Sequence, residues 1–467
     1  MGGFFGCVSR QDCVTDVFYG TDYHSHLGTK RGGLAFQNRR GMKKTIKNIE
    51  NTYFRTKLEP ELPNLSGRKG IGVISDTDAQ PLIIGSHLGT FGLVMVGKVN
   101  NLHELARQAF SRGMHFSEAS EGAVNPTELV AMLINQKSSY EEGIAHAQEM
   151  IRGSCSLLLL TEQGVYAARD RLGRTPVVIG RREGTYAATS ETCAFFNLGY
   201  ETEKFLGPGE IVFFTEEGYE QRKAPGDKLQ VCSFLWVYYG YPASSYEGIN
   251  VEEVRYRCGW ALADRDETAV DYVAGIPDSG IGHAIGYSNR KQIPYKRPFV
   301  KYTPTWPRSF MPQDASMRDL VAKMKLIPIP QMIADKRVVF CDDSIVRGTQ
   351  LKDNAQLLFD YGAREVHMRA ACPTLIYPCE FLNFSPSRSS LDLLGRKVIY
   401  ELEGGNMDAV AEYAISGSDR NRAMVERIRE QLVLTSLRFQ LLEDTVEAIG
   451  LPKESLCTHC WDGSGYF

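Results

Sequence analysis

The residues with the plainest chemical potential form one run, Val338-Val339-Phe340-Cys341-Asp342-Asp343-Ser344-Ile345-Val346-Arg347-Gly348-Thr349. Val338 to Cys341 are continuous and apolar, as in a parallel strand buried on both faces, and they fix where the next loop begins. Asp342 and Asp343 can then accept hydrogen bonds from the vicinal hydroxyls of a ribose, directly or through hydrated Mg²⁺. Ser344, Val346, Arg347, Gly348 and Thr349 offer hydroxyls and backbone N–H groups to a 5′-phosphate. A helix predicted near Leu351 to Tyr361 adds the positive end of its dipole. A short acidic turn between strand and helix is ordinary in any α/β protein; the full run points instead to a phosphorylated ribose.

Three other groups of residues accompany it. Ala274-Gly275-Ile276-Pro277-Asp278-Ser279-Gly280 follows a second apolar approach and has the Pro/Gly composition of a tight loop. Cations cluster between the two loops: Arg308, Arg318, Lys323 and Lys325. Cys457-Thr458-His459-Cys460 is a CxxC, a spacing that lets two thiolates hold one metal centre, and Cys232 and Cys379 can complete a four-thiolate shell. Spacing alone leaves zinc and an iron–sulfur cluster both open. The remaining cysteines (Cys7, Cys13, Cys155, Cys193, Cys258, Cys341, Cys372) read as small buried side chains.

The elements that must position these residues fall into two parts, with 467 residues too many for one core. Residues 1–228 show short apolar runs broken by Gly and Asp, at 70–74, 82–85, 92–97, 154–160, 164–168, 177–180 and 211–214, with helical patterns near 102–112 and 126–136. Many strands with few helices predict a layered α/β sandwich. Residues 229–467 alternate strands and helices, as a parallel sheet requires, and 407–449 is strongly helical in composition. Hydrophobic content of 43% and charged content of 23% are globular averages, and a net charge of −3 gives no reason to expect nucleic acid or a membrane surface. With no long apolar run and no signal-peptide pattern at Met1-Gly2-Gly3-Phe4, a cytoplasmic location is expected.

The run around Asp342 resembles the phosphoribosyl pyrophosphate (PRPP) motif of type I phosphoribosyltransferases, and in its wording the glutamine phosphoribosylpyrophosphate amidotransferase family. The resemblance implies that Pro277, Asp278, Ser279 and Gly280 form a pyrophosphate loop. It makes Ser279, Asp342 and Asp343 the Mg²⁺ ligands, and Arg308 and Lys325 part of a loop that closes over PRPP. It further implies a [4Fe-4S] cluster on Cys232, Cys379, Cys457 and Cys460, and a homo-oligomer subject to purine-nucleotide feedback. The first part resembles a class II glutaminase domain at Gly3-Phe4-Phe5-Gly6, His26-Leu27-Gly28, Arg169-Asp170-Arg171-Leu172-Gly173, Ser190-Glu191-Thr192-Cys193-Ala194 and Gly207-Pro208-Gly209-Glu210. The expected fold is therefore a four-layer αββα Ntn-hydrolase-like domain followed by a phosphoribosyltransferase domain with a parallel sheet.

The glutaminase residues themselves do not match. That chemistry needs an N-terminal cysteine whose α-amine serves as base, and the position is Gly2. The family's carboxylate-binding arginine falls at Ser75, its oxyanion-hole asparagine at Val96 and its acid for the glutamine amino group at Pro126. Cys7 belongs inside the strand that follows the nucleophile and does not replace it. Four losses in one mechanism predict that this half no longer draws ammonia from glutamine. The expected activity is PRPP plus ammonia to 5-phosphoribosylamine and pyrophosphate, as in purine biosynthesis, with ammonia free or supplied by a partner. The alternatives are transfer to another acceptor, or a non-catalytic PRPP- or nucleotide-binding paralogue that regulates an active amidotransferase.

Overall fold

A computed structural model describes residues 2–117, 119–120, 123–302, 326–382 and 389–465. Its first half is built on two antiparallel sheets. One has seven strands in the order Glu201–Phe205, Val178–Arg182, Thr185–Thr189, Gly3–Ser9, Lys69–Ser75, Arg31–Asn38, Gly41–Asn48. The other has six, in the order Tyr219–Lys223, Ile211–Phe214, Val165–Ala168, Gly153–Leu160, Gly89–Val99, Leu82–Ser86.

Side-chain alternation explains the layering. Phe4 and Val8 point into the space between the sheets, where they meet Val94, Val96, Leu158 and Leu160. Phe5 and Cys7, one residue out of phase, point to the outer face and pack under the helix Val14–Asp22. On the far side Leu93, Met95, Leu157 and Leu159 are covered by the helices Pro126–Ile134 and Tyr140–Met150. The result is helix, sheet, sheet, helix. Because both faces of the central strands are buried, their sequences read as unbroken apolar runs rather than alternating ones. All seven runs singled out in the sequence lie on strands. The edge strands Gly41–Asn48, Glu201–Phe205 and Tyr219–Lys223 are largely polar and gave no such signal.

The second half carries a parallel sheet in the order Tyr272–Gly275, Arg337–Asp342, Glu365–Ala370, Ser436–Phe439. Val273, Val339 and Cys341 face the helices Val251–Asp264 and Gly280–Lys291; Val338, Phe340 and Met368 face the helices Thr349–Asp360, Leu394–Leu402 and Asp419–Gln431. The stretch 407–449 is not helical throughout: Ser436–Phe439 interrupts it as the sheet's fourth strand. Four residues at an edge are too few for a strand's period to stand out among the flanking helices.

The two halves meet around Glu191, only 1% exposed. From the first half, the His26 ring lies 3.1 Å from its carboxylate. From the second, Tyr246 donates at 2.7 Å and Ser244 at 3.1 Å. Burial by itself would push the carboxyl up, but His26 and these donors hold it down to about 2. Behind it His24, fully buried, is lowered to about 4 by desolvation. Among the described residues, no helix is long and apolar enough to cross a membrane.

Candidate functional site

The two loops singled out by sequence leave the same end of the parallel sheet. Gly275 pairs with Cys341 across adjacent strands, and the Ile276 N–H donates to the Cys341 carbonyl at 3.0 Å, so the loop 276–280 starts beside the aspartates. Gly280 makes the approach possible. A Cβ there would stand 2.3 Å from the Cys341 carbonyl oxygen and 3.1 Å from the Asp342 Cα. Ser279 Oγ consequently reaches Asp342 Oδ1, at 3.4 Å. Asp278 stands at the mouth, paired with Lys301.

Asp342 accepts from the Asp343 N–H at 2.9 Å, and Ser344 Oγ donates to Asp343 Oδ2 at 2.5 Å. Burial, then the adjacent Asp343 carboxylate, raises the Asp342 carboxyl well above its ordinary range. Two such carboxylates favour a cation or a set of hydroxyl donors between them. The loop closes on Gly348, whose φ of 76° lies in the left-handed region that glycine adopts freely; the helix Thr349–Asp360 starts immediately after it. Arg347 is half out in solvent, 3.9 Å from Asp392. Ser279, Gly280, Asp342, Asp343 and Ser344 are thus together, with Pro277, Asp278, Val346, Arg347, Gly348 and Thr349 on the flanking loops. Arg308 and Lys325 lie outside the described residues.

The four cysteines expected to act together share one cavity with Arg174, Phe234, Phe381 and Trp461. Three distant segments converge there. Val231–Cys232 pairs in parallel with Leu456–Cys457, setting Cys232 opposite Cys457, and the Ile376 and Tyr377 N–H groups donate to the Cys460 carbonyl at 3.0 and 3.1 Å. The Leu382 N–H donates to Cys379 Sγ at 3.3 Å. A hydrogen bond from the Cys460 thiol, with this and other backbone donors, brings Cys379 down to about 6 although burial opposes it, while burial raises Cys232 and Cys457. Among the described residues no three metal-ligating side chains close around one point as a single-ion site. The other seven cysteines are buried and free, as expected.

A third group is the four positions where sequence leads one to expect replaced glutaminase residues. Gly2, Ser75, Val96 and Pro126, named separately from sequence, line a single cavity. Their side chains supply no thiol, guanidinium, amide or carboxyl group. Nor is there room for a nucleophile: a Cβ on Gly2 would stand 2.4 Å from the Ile74 carbonyl oxygen. Cys7 and Cys13 are buried in the layer beneath the helix Val14–Asp22.

Two residues of this cavity escaped sequence reading. Asp78, 2% exposed, accepts from Thr77 Oγ1 at 2.6 Å, from Gln80 Nε2 at 3.2 Å and from Thr127 Oγ1. Lys98 donates from its ammonium to the Cys379 carbonyl at 3.1 Å, and Asn100 donates to the next carbonyl, that of Glu380, so the strand Gly89–Val99 links this cavity to the cysteine loop. An acid three residues past Ser75 was the only signal, and the burial that gives it meaning is a property of the fold.

An αββα domain joined to a domain built on a four-stranded parallel sheet defines the class: a protein of the two-domain amidotransferase architecture. Residues 68–197 match the family model of a glutamine amidotransferase domain. An amidophosphoribosyltransferase of Synechococcus elongatus is 30% identical over 96% of this chain and 87% of its own length, and one of Methanocaldococcus jannaschii 29% identical over 99% and 97%. A solved glutamine PRPP amidotransferase from B. subtilis, complexed with ADP and GMP, superposes with a TM-score of 0.85 at 26% identity, covering 99% of this chain and 96% of that one. The chain belongs to the amidophosphoribosyltransferase family.

Proposed function

We propose that this family member converts PRPP and ammonia to 5-phosphoribosylamine and pyrophosphate and has lost the use of glutamine. Residues 1–228 form the silent glutaminase-type half and residues 229–467 the transferase. The observation that carries the reading is a contrast. The four positions assigned to the glutaminase mechanism line one cavity and carry no thiol, guanidinium, side-chain amide or acid, whereas Asp342 lies within hydrogen-bonding reach of both Asp343 and Ser279.

In this reading Asp342 and Asp343 hold the ribose hydroxyls, Ser344, Val346, Arg347, Gly348 and Thr349 the 5′-phosphate, and Pro277 to Gly280 the pyrophosphate. The nitrogen lone pair of ammonia forms the C1–N bond as the C1–O bond to pyrophosphate breaks. Pyrophosphate leaves with the electron pair, and the new amine gives a proton to water. The oxygen donors of Asp342, Asp343 and Ser279 suit Mg²⁺, which keeps waters and substrate oxygens in its shell and would neutralise the departing charge. Arg308 and Lys325 complete this assignment as cations for the pyrophosphate.

Cys232, Cys379, Cys457 and Cys460 would hold a [4Fe-4S] cluster. Four thiols lining one cavity are the donor set that such a cluster takes. Its role is structural, joining three segments that are distant from one another in sequence.

The test offers purified protein PRPP and Mg²⁺ with glutamine, ammonium or neither, and measures pyrophosphate. Ammonium-only release is the expected result. Release with glutamine overturns the proposed loss, and no release with any acceptor favours a non-catalytic PRPP-binding protein.

A further inference from the structure

The cavity left by the glutaminase residues still has polar chemistry of its own. Asp78 forms part of its wall, buried, with every recorded hydrogen bond coming from a neutral donor: Thr77, Gln80 and Thr127. Among the described residues its carboxylate has no ion-pair partner. A buried carboxylate satisfied only by neutral groups remains a site of negative potential, and a cation is the ligand that gains most from it. Lys98, which also lines the cavity, is turned away to the Cys379 carbonyl and does not neutralise it. The rest of the wall is mixed: Ser75, Thr77 and Gln80 are polar, and Val96, Val99 and Pro126 form an apolar stretch.

We propose that this cavity binds a small primary amine in its protonated form, with the ammonium at Asp78 and any carbon body along Val96, Val99 and Pro126. Three N–H donors on one small head suit the lone-pair positions of a carboxylate that neutral donors leave over. Gly2 lines the cavity and adds no side chain to compete for Asp78. Ammonium itself and a short alkylammonium share this chemistry, and the apolar stretch favours the second. The site lies in the first half and stands on the cavity alone, so it does not depend on turnover at the aspartates.

The experiment is a thermal-shift titration of the full protein at fixed ionic strength and pH 7, without PRPP. Its arms are ammonium, propylammonium, tetramethylammonium, sodium and glutamine. The expected result is a saturable rise in melting temperature with propylammonium, a weaker one with ammonium, and none with tetramethylammonium or sodium. Asp78→Asn should weaken propylammonium binding by about tenfold or more. Val99→Ala, which shortens the apolar stretch of the wall and leaves the hydrogen bonds of Asp78 in place, should weaken propylammonium more than ammonium and guards against misfolding of the first variant. Equal shifts with sodium, unchanged affinity in both variants, or tighter binding of glutamine than of propylammonium would each overturn the proposal. Because pyrophosphate release is measured separately, failure here leaves the ammonia-dependent transferase standing, and the reverse also holds.

Discussion

Restoring the missing nucleophile by Gly2→Cys should not restore glutaminase activity, and the structure says by how much it should fail. The new Cβ would meet the Ile74 carbonyl oxygen at 2.4 Å and the Ser75 Cα at 3.4 Å. The first distance is well inside any tolerable contact, and both neighbours are backbone of a central strand that cannot swing away. Overpacking of this kind costs about 1–3 kcal/mol. At roughly 2–4 °C per kcal/mol for a domain of this size, the melting temperature should fall by about 2–12 °C. Catalysis would still lack the oxyanion donor at Val96, worth about 10²–10³ in turnover. It would also lack the charged partners at Ser75 and Pro126, each worth about ten- to a hundredfold. The combined deficit is about 10⁴ or more. Glutamate release and differential scanning fluorimetry measure the two effects, with mass spectrometry of the variant establishing that the cysteine is N-terminal. Glutamate released at a rate comparable with the ammonium reaction, together with an unchanged melting temperature, would refute the reasoning.

Replacing Asp342 and Asp343 together by Asn should cut ammonium-dependent pyrophosphate release by at least about a hundredfold, because two charge-assisted contacts are lost; release that survives would disprove the ribose site. Anaerobic preparation should yield about four irons per chain with a broad visible absorbance, Cys457→Ser should abolish both, and stoichiometric zinc in their place would exclude the cluster. His24 is buried neutral, lowered from its usual 6.5 to about 4. Its contribution is therefore complete above about pH 6.5 and is lost as pH falls toward 4, up to about 3 kcal/mol. Glu191, lowered to about 2, works in the same direction below its ordinary 4.5. Chemical denaturation from pH 7 to 4 should show this decline, and His24→Gln should flatten its upper part; an unchanged slope would place the acid sensitivity elsewhere.

Much of the architecture was legible because its strands are buried on both faces. Gly3–Ser9, Lys69–Ser75 and Gly153–Leu160 carry apolar side chains in and out alike, so their runs stand out with no tertiary knowledge. Gly41–Asn48 and Tyr219–Lys223 did not stand out, since an edge strand keeps its place by backbone pairing rather than burial. The short strand Ser436–Phe439 was hidden between helices. At the site, the Asp342 loop was readable because its residues are consecutive. The four positions expected to replace glutaminase residues were named one at a time, and their meeting in one cavity was not legible. Asp78 and the Glu191 contacts were invisible, because neither residue is unusual until a partner from another part of the chain is placed beside it.

The parallel pairing of Cys232 with Cys457 joins positions some 225 residues apart. During synthesis the first half can finish folding, with Cys232 at its border, long before the second strand of that pair exists. Cys379 and Cys460 are likewise late, so the four thiols become neighbours only when the tail 456–460 has docked beside Val231. Iron supplied earlier would meet an incomplete ligand set. Any metal centre held by these thiols would load only at the end of assembly, and a chain truncated before Leu456 would carry both the 276–280 and 342–349 loops yet lack the strand pair that joins Val231–Cys232 to the tail.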